Sequence, residues 1–448
     1  MSGDLAKITR KVSGISGMWN PVEIYTPDPT SLKKEKEKVF AAFGKDKSYN
    51  PKFTYSHANT LKVAKNKRLL LKLKDEVASL KPKSSLEKVV KRILYLNIED
   101  NLSNCLLIEG IKQKDESKIA KAFSQKYPRL TKNLIRVANK SYERLTSPQS
   151  ALPVQKALLT HDEQEYLKNL KLNARQIKEA FEWALAEYGI LQDEKQNGPA
   201  FRVSISKTST SIDVRDKSKT GPRISIPADR EVTGDKLLEL IGHEVEGHSR
   251  QSVNGQLLFA VGGSNLKIDS EELYEGLAKR YDEAFRLEFF GEESGTPKPF
   301  FVFATQMAQD GKSFFKIFED QIERHLRTEL KIPTSQKLPK YIDDESWEKA
   351  LESAWKTTYR VMRGHINTKN TKKFAMTKDL SYLLGWLLDK KLVKAGKGYL
   401  NEAAILDHRS LPALKELGLS ESSLPLPYKN VAKLYWEDIL KPRAREKS

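Results

Sequence analysis

The densest chemistry in the chain is His243-Glu244-Val245-Glu246-Gly247-His248, two histidines five apart with a glutamate directly after the first. Imidazole is a good zinc ligand, and a catalytic zinc keeps three protein ligands with one position open to water. A carboxylate beside that position can take the water's proton. Residues four apart stand about 40° apart around an α-helix, whereas residues five apart stand about 140° apart. Both histidines therefore reach one metal only where the helix widens or ends, as a π-bulge allows. Gly247 is the residue type that tolerates such a distortion. An acid on a second helix would complete the ligand set. The segment Asp269–Ala278 offers Glu271, Glu272 and Glu275, and spacing does not choose among them.

The elements that must position these side chains can be read from apolar spacing. Leu237, Leu238, Leu240 and Ile241 make the first histidine's segment an apolar helix, with Thr233 as its expected cap. Just before it, Phe201–Ile205, Ile212–Val214 and Ile224–Pro227 alternate apolar and polar, which predicts two or three short strands in a small sheet. An edge strand there could take an extended peptide by strand addition. Upstream, residues 18–30 are proline-punctuated and read as extended. Helices are expected from Ser31 to Phe43 and over 61–80, 85–113 and 116–146. A long one is expected from Thr160 or Asp162 to about Tyr188. Downstream, Asn254-Gly255 and Gly262-Gly263 read as turns, followed by helices at 269–290, 301–329, 345–363 and 379–394. The fold class is α+β, mostly α.

The chain has 448 residues and 51.0 kDa, enough for one large or two ordinary domains. Ser147-Pro148-Gln149-Ser150 with Pro153 marks the expected boundary, giving a basic helical region at 1–150 and a catalytic domain at 151–448. The net charge of +19 is concentrated in the first region, with 31 Lys+Arg against 15 Asp+Glu. Such a balance suits an acidic partner, whether polypeptide or nucleic acid. Nucleic acid is the weaker expectation, because no arginine-rich or aromatic-interleaved motif accompanies the lysines. Cys105 stands alone, which excludes a disulfide framework and a cysteine metal site. No run approaches the roughly 20 apolar residues of a membrane span, and the first residues carry no secretory apolar stretch, so a cytoplasmic location is expected.

Beyond the His-Glu-x-x-x-His stretch, three further blocks are distinctive. They are Tyr274-Glu275-Gly276-Leu277-Ala278, then Tyr359-Arg360-Val361-Met362-Arg363-Gly364, then Thr377-Lys378-Asp379-Leu380-Ser381-Tyr382-Leu383-Leu384-Gly385. With Pro51-Lys52-Phe53-Thr54-Tyr55, these blocks in this order resemble the tyrosine carboxypeptidase family. That family includes the microtubule-associated tyrosine carboxypeptidases and the bacterial "flavohemoglobin expression-modulating QEGLC motif" proteins. The resemblance spans about residues 50–390. It implies a zincin-like metallopeptidase fold, with His243, His248 and Glu275 as ligands of one Zn²⁺ and Glu244 as general base. Tyr274 stands where bacterial members often have Gln, and Glu246-Gly247 replaces a small residue and Thr.

The resemblance implies removal of one C-terminal residue, tyrosine in the animal relatives, from an acidic polypeptide tail. A carboxypeptidase must also hold the substrate's terminal carboxylate, for which the planar fork of arginine is suited. Arg360 and Arg363, three apart, are the candidates, with Lys378 as a further substrate-binding cation. The alternative for the two arginines is pairing with the helix of Glu271 and Glu272. Tyr382 is the candidate donor to the tetrahedral oxyanion. Lys378 and Asp379 could equally cap the helix they begin. His365 is a candidate for a supporting contact behind the ligands. Two alternatives stand beside this reading: a zinc endopeptidase, and a non-enzymatic basic binding protein with a structural metal.

Overall fold

The computed structural model describes residues 3–16, 24–147, 155–192, 200–209, 211–215, 221–259, 272–292, 299–369, 374–403 and 408–445. The chain is mostly helical with small sheets, as the apolar spacing predicts. Pro148–Ser150, Pro153, Glu271 and the turn expected at Gly262-Gly263 lie outside the described residues. None of the helices is long and apolar enough to cross a membrane, among the described residues.

The N-terminal helices run over Gly3–Ser16, Pro29–Phe43, Ala64–Ser79, Ser85–Gln113, Glu116–Lys126 and Lys132–Thr146. Local chemistry sets their starts. The Ser84, Asp115 and Thr131 side chains each accept a backbone N–H of the first turn. The second helix begins at Pro29, two residues before the expected Ser31, because proline suits the first helical position and lacks the N–H that would go unpaired. Apart from Lys132–Thr146, whose Leu134, Ala138 and Tyr142 pack with Phe300 and Phe303 in a separate cluster, these helices share one apolar core with side chains drawn from between Phe259 and Leu414, as where Phe40 stacks on Phe318. The packing therefore draws on both sides of residue 150.

The expected long helix from Thr160 to Tyr188 is two helices, His161–Asn169 and Ala174–Glu187. Thr160 caps the first in a reciprocal box with Glu163. Between them, Lys171–Asn173 is an extended strand, β1, paired antiparallel with β5, Glu231–Thr233. Asn173 and Gln176 form a second capping box that restarts the helix, so strand pairing and a strong cap override the continuous apolar period. The expected 301–329 helix is likewise broken, into Phe300–Gln309 and Phe314–Glu329. Gly311 takes φ +82° between them, and Ser313 caps the second.

The expected strands form a three-stranded sheet. In it β2 (Arg202–Ser206) is parallel to the central β4 (Arg223–Pro227), and β3 (Asp213–Arg215) lies antiparallel on β4's other side. Ile224 and Ile226 of β4 are fully buried in a second core with Ile177, Phe181, Leu237, Leu238 and Trp436. That core anchors the helix carrying the two site histidines.

Candidate metal centre

The site helix starts at Gly234, with Thr233 at the cap position but without a side-chain cap hydrogen bond. It is α-helical over Gly234–Leu240 and π-helical over Ile241–Ser249, nine residues rather than a single bulge. The wider i→i+5 turn places residues five apart above one another, which is what the histidine spacing requires. The Ser249 hydroxyl follows the same step, donating to the Glu244 carbonyl at 2.8 Å. The imidazoles of His243 and His248 come to 4.9 Å between centroids at 88°. Gly247 contributes differently from the expectation. It keeps a negative φ and lies against the neighbouring helix, where an added Cβ would stand 3.0 Å from the Ala278 Cα. Its missing side chain serves close approach. Asn254-Gly255 is not a turn but lies inside the continuing α-helix Arg250–Phe259, where the Asn254 amide has partners of its own.

The neighbouring helix, Glu272–Phe290, supplies Glu275. Ligand atoms of His243, His248 and Glu275 all lie within 4.8 Å of one another, and His243 Nε2 is 4.0 Å from a Glu275 oxygen. The height of Glu275 is set by a backbone contact: a Cβ on Gly276 would stand 2.3 Å from the Gly385 carbonyl oxygen. Arg280 with Asp389 and Glu283 with Lys390 continue that register, so Glu272–Phe290 and Leu380–Lys394 pack in parallel. The glycines of the Tyr274–Ala278 and Lys378–Gly385 blocks thus form the crossing point of these two helices.

Sequence reasoning missed Asp282, whose carboxylate lies 3.0 Å from His243 Nδ1 and pairs on its other side with Lys279. Its signal was available: it follows Glu275 by seven residues, two helical turns, on the same face. Burial opposes charge on the His243 ring, but Asp282 outweighs burial and pushes its pKa up to about 9. Burial also disfavours the Asp282 anion, yet His243 and Lys279 hold it well below the usual carboxylate range. Glu244 is buried without an ion-pair partner among the described residues, and burial pushes its pKa up to about 7. Burial, then the nearby charge of His243, holds His248 well below the usual histidine value.

Three side chains on the back of the site helix were also missed: Glu246, Arg250 and Asn254, spaced four apart. All three are buried. Glu246 accepts the Val431 N–H. Arg250 donates to the Glu246 carbonyl at 3.1 Å, to the Leu426 carbonyl at 3.1 Å and to Glu402 at 2.9 Å. Asn254 pairs with Leu426 through both its amide groups. Glu246 is therefore tied to a C-terminal segment that latches the π-helix from behind.

The remaining candidates divide. Arg360 donates to Asp379 through Nε at 3.1 Å and also through Nη2, with the Tyr382 hydroxyl beside it. Its partner is thus Asp379, at the start of Leu380–Lys394, the end of the parallel pair that also carries Glu275. Asp379 occupies the cap position of that helix but gives its carboxylate to Arg360, and Lys378 beside it is half-buried. Arg363 is only 7% exposed. It donates to the Tyr359 hydroxyl at 2.7 Å and makes no ion pair among the described residues, and its Nε has no acceptor. His365 is not behind the ligands: its Nε2 donates to the Phe374 carbonyl at 3.1 Å, and its ring stacks on Phe374.

The chain matches no family model, no curated protein and no solved structure.

Proposed function

We propose that this chain is a zinc-dependent metallocarboxypeptidase of the zincin-like class, akin to the tyrosine carboxypeptidase family that its motifs resemble. The observation that carries the reading is a His-Glu-x-x-x-His on a π-helix with Glu275 converging on both histidines. Two imidazoles and one carboxylate suit Zn²⁺, and three protein ligands leave one position open. The donor set also fits in its support, because Asp282 takes His243 Nδ1 and so directs Nε2 toward Glu275.

When bound, zinc would acidify a water and polarise the scissile carbonyl. Glu244, next to the ligand His243 and with its pKa near neutrality, takes the attacking water's proton and hands it to the departing amine. Arg363 is the favoured receptor for the substrate's terminal carboxylate, since it is a buried guanidinium without a protein anion among the described residues. Arg360, already held by Asp379, orients Tyr382 as the donor to the developing oxyanion, and Lys378 adds positive charge at that helix start. The excess lysines of residues 1–150 favour an acidic polypeptide tail as substrate.

The test is a pool of peptides differing in C-terminal residue, with free or amidated ends, read by mass spectrometry. Loss of one terminal residue from free ends alone is expected, with Glu244→Gln slower by about 10³-fold or more while retaining zinc. Internal cuts, or cleavage of amidated ends, would make the chain an endopeptidase. No cleavage of any peptide would favour the basic binding protein.

A further inference from the structure

The two ligand imidazoles are held by different means. His243 is steered by a hydrogen bond from Nδ1 to Asp282 at 3.0 Å. His248 is buried, yet neither of its ring nitrogens hydrogen-bonds a described residue, and its Nδ1 is shut off from solvent. Against the face of this ring lies Tyr274, with 3.6 Å between centroids and 15° between planes. Tyr274 directly precedes Glu275, so one end of the Glu272–Phe290 helix supplies both a ligand and the surface that fixes the plane of another.

An imidazole without a hydrogen bond has a broad, soft torsion about its ring bond. A flat neighbour in face-to-face contact restricts that torsion. It also has an electronic consequence: an imidazole that binds a cation becomes electron-poor, and the electron-rich face of tyrosine favours that state over the metal-free one.

We propose that Tyr274 is a positioning residue of the metal centre, doing for His248 by stacking what Asp282 does for His243 by hydrogen bonding. This rests on the metal reading above. The ring face is what lies on His248, and phenylalanine keeps that face.

The experiment uses the full chain, stripped of metal, in wild-type, Tyr274→Phe and Tyr274→Leu forms. Zinc affinity is measured by competition with a chromophoric chelator, and ligand geometry by the visible absorption of the Co²⁺ form. The thermal midpoint of each metal-free protein serves as the fold control. Tyr274→Leu should bind zinc about tenfold more weakly, with a changed Co²⁺ spectrum and an unchanged midpoint. Tyr274→Phe should stay within about twofold of wild type on the same scale. If the leucine form misfolds, Tyr274→Met, which lacks the ring and offers no comparable hydrogen bond, takes its place. Wild-type affinity without the ring, or equal losses in the phenylalanine and leucine forms, would overturn the proposal. A wild-type chain that binds no zinc would overturn the metal reading itself, and this proposal with it.

Discussion

Asp282 illustrates how one carboxylate decides what a neighbouring histidine can do. By accepting from His243 Nδ1 it fixes the tautomer that presents Nε2 to Glu275, and Lys279 neutralises its remaining charge. Asp282→Asn keeps the shape but weakens the hold on the ring. It should lower zinc affinity by about 10- to 100-fold with little change in the fold, measured by chelator competition against thermal unfolding. Unchanged affinity would mean that Asp282 serves packing alone. At this scale the candidate ligands His243 and His248 and the candidate base Glu244 stood out in one short word of sequence, and the structure brings the two imidazoles together with Glu275. Asp282 could have been found from its place two helical turns after Glu275, whereas the stacking of Tyr274 on His248 is set by helix packing and has no mark in the sequence. Choosing Glu275 over Glu271 and Glu272 needed the family resemblance; in the structure Glu275 converges on both histidines, while Glu271 lies outside the described residues.

At the scale of elements, the spacing of two histidines made a structural demand before any fold was known, and the π-helix over Ile241–Ser249 meets it. The start of the helix at His161 was legible, with Thr160 one of its two expected caps. Helix ends were misread where strand pairing intruded at Lys171–Asn173, or where Asn254-Gly255 gave a turn signal inside a helix. Asn254 overrides its propensity because its amide satisfies both backbone groups of Leu426. The contact of greatest consequence is between glycines. Gly276→Ala would place a methyl 2.3 Å from the Gly385 oxygen, and the two parallel helices would have to part. A loss of about 3 kcal/mol in urea unfolding is expected, with weaker zinc binding because Glu275 moves with its helix. Gly44→Ala is the control: its Cβ would meet nothing nearer than 3.6 Å. Equal effects of the two substitutions would contradict the helix-crossing account.

For the whole molecule, most of the N-terminal helices share one core with Phe314–Glu329 and Asp344–Val361, the sheet, the site helix and residues 431–440 share another, and Lys132–Thr146 packs with Phe300–Gln309 and Leu380–Lys394 in a third. His365 lies in the interior near the first of these, where burial pushes its pKa down to about 3 and leaves the ring neutral. Below pH 6.5 the unfolded chain takes up a proton that the folded chain refuses, so this group's contribution is complete above 6.5 and declines toward pH 3. Between pH 7 and 5 it should cost the folded state about 2 kcal/mol. His365→Gln, still able to donate to the Phe374 carbonyl, should lose that much less stability over the same interval. An identical pH dependence in the two proteins would mean that His365 is not buried neutral. The central claim, that residues from two packed helices form one metal centre, is tested most directly by metal content. Wild-type chain dialysed against trace zinc should retain one zinc per chain, while His248→Ala and Glu275→Ala should each retain almost none and remain folded. Full zinc in the Glu275→Ala protein, or none in the wild type, would contradict it.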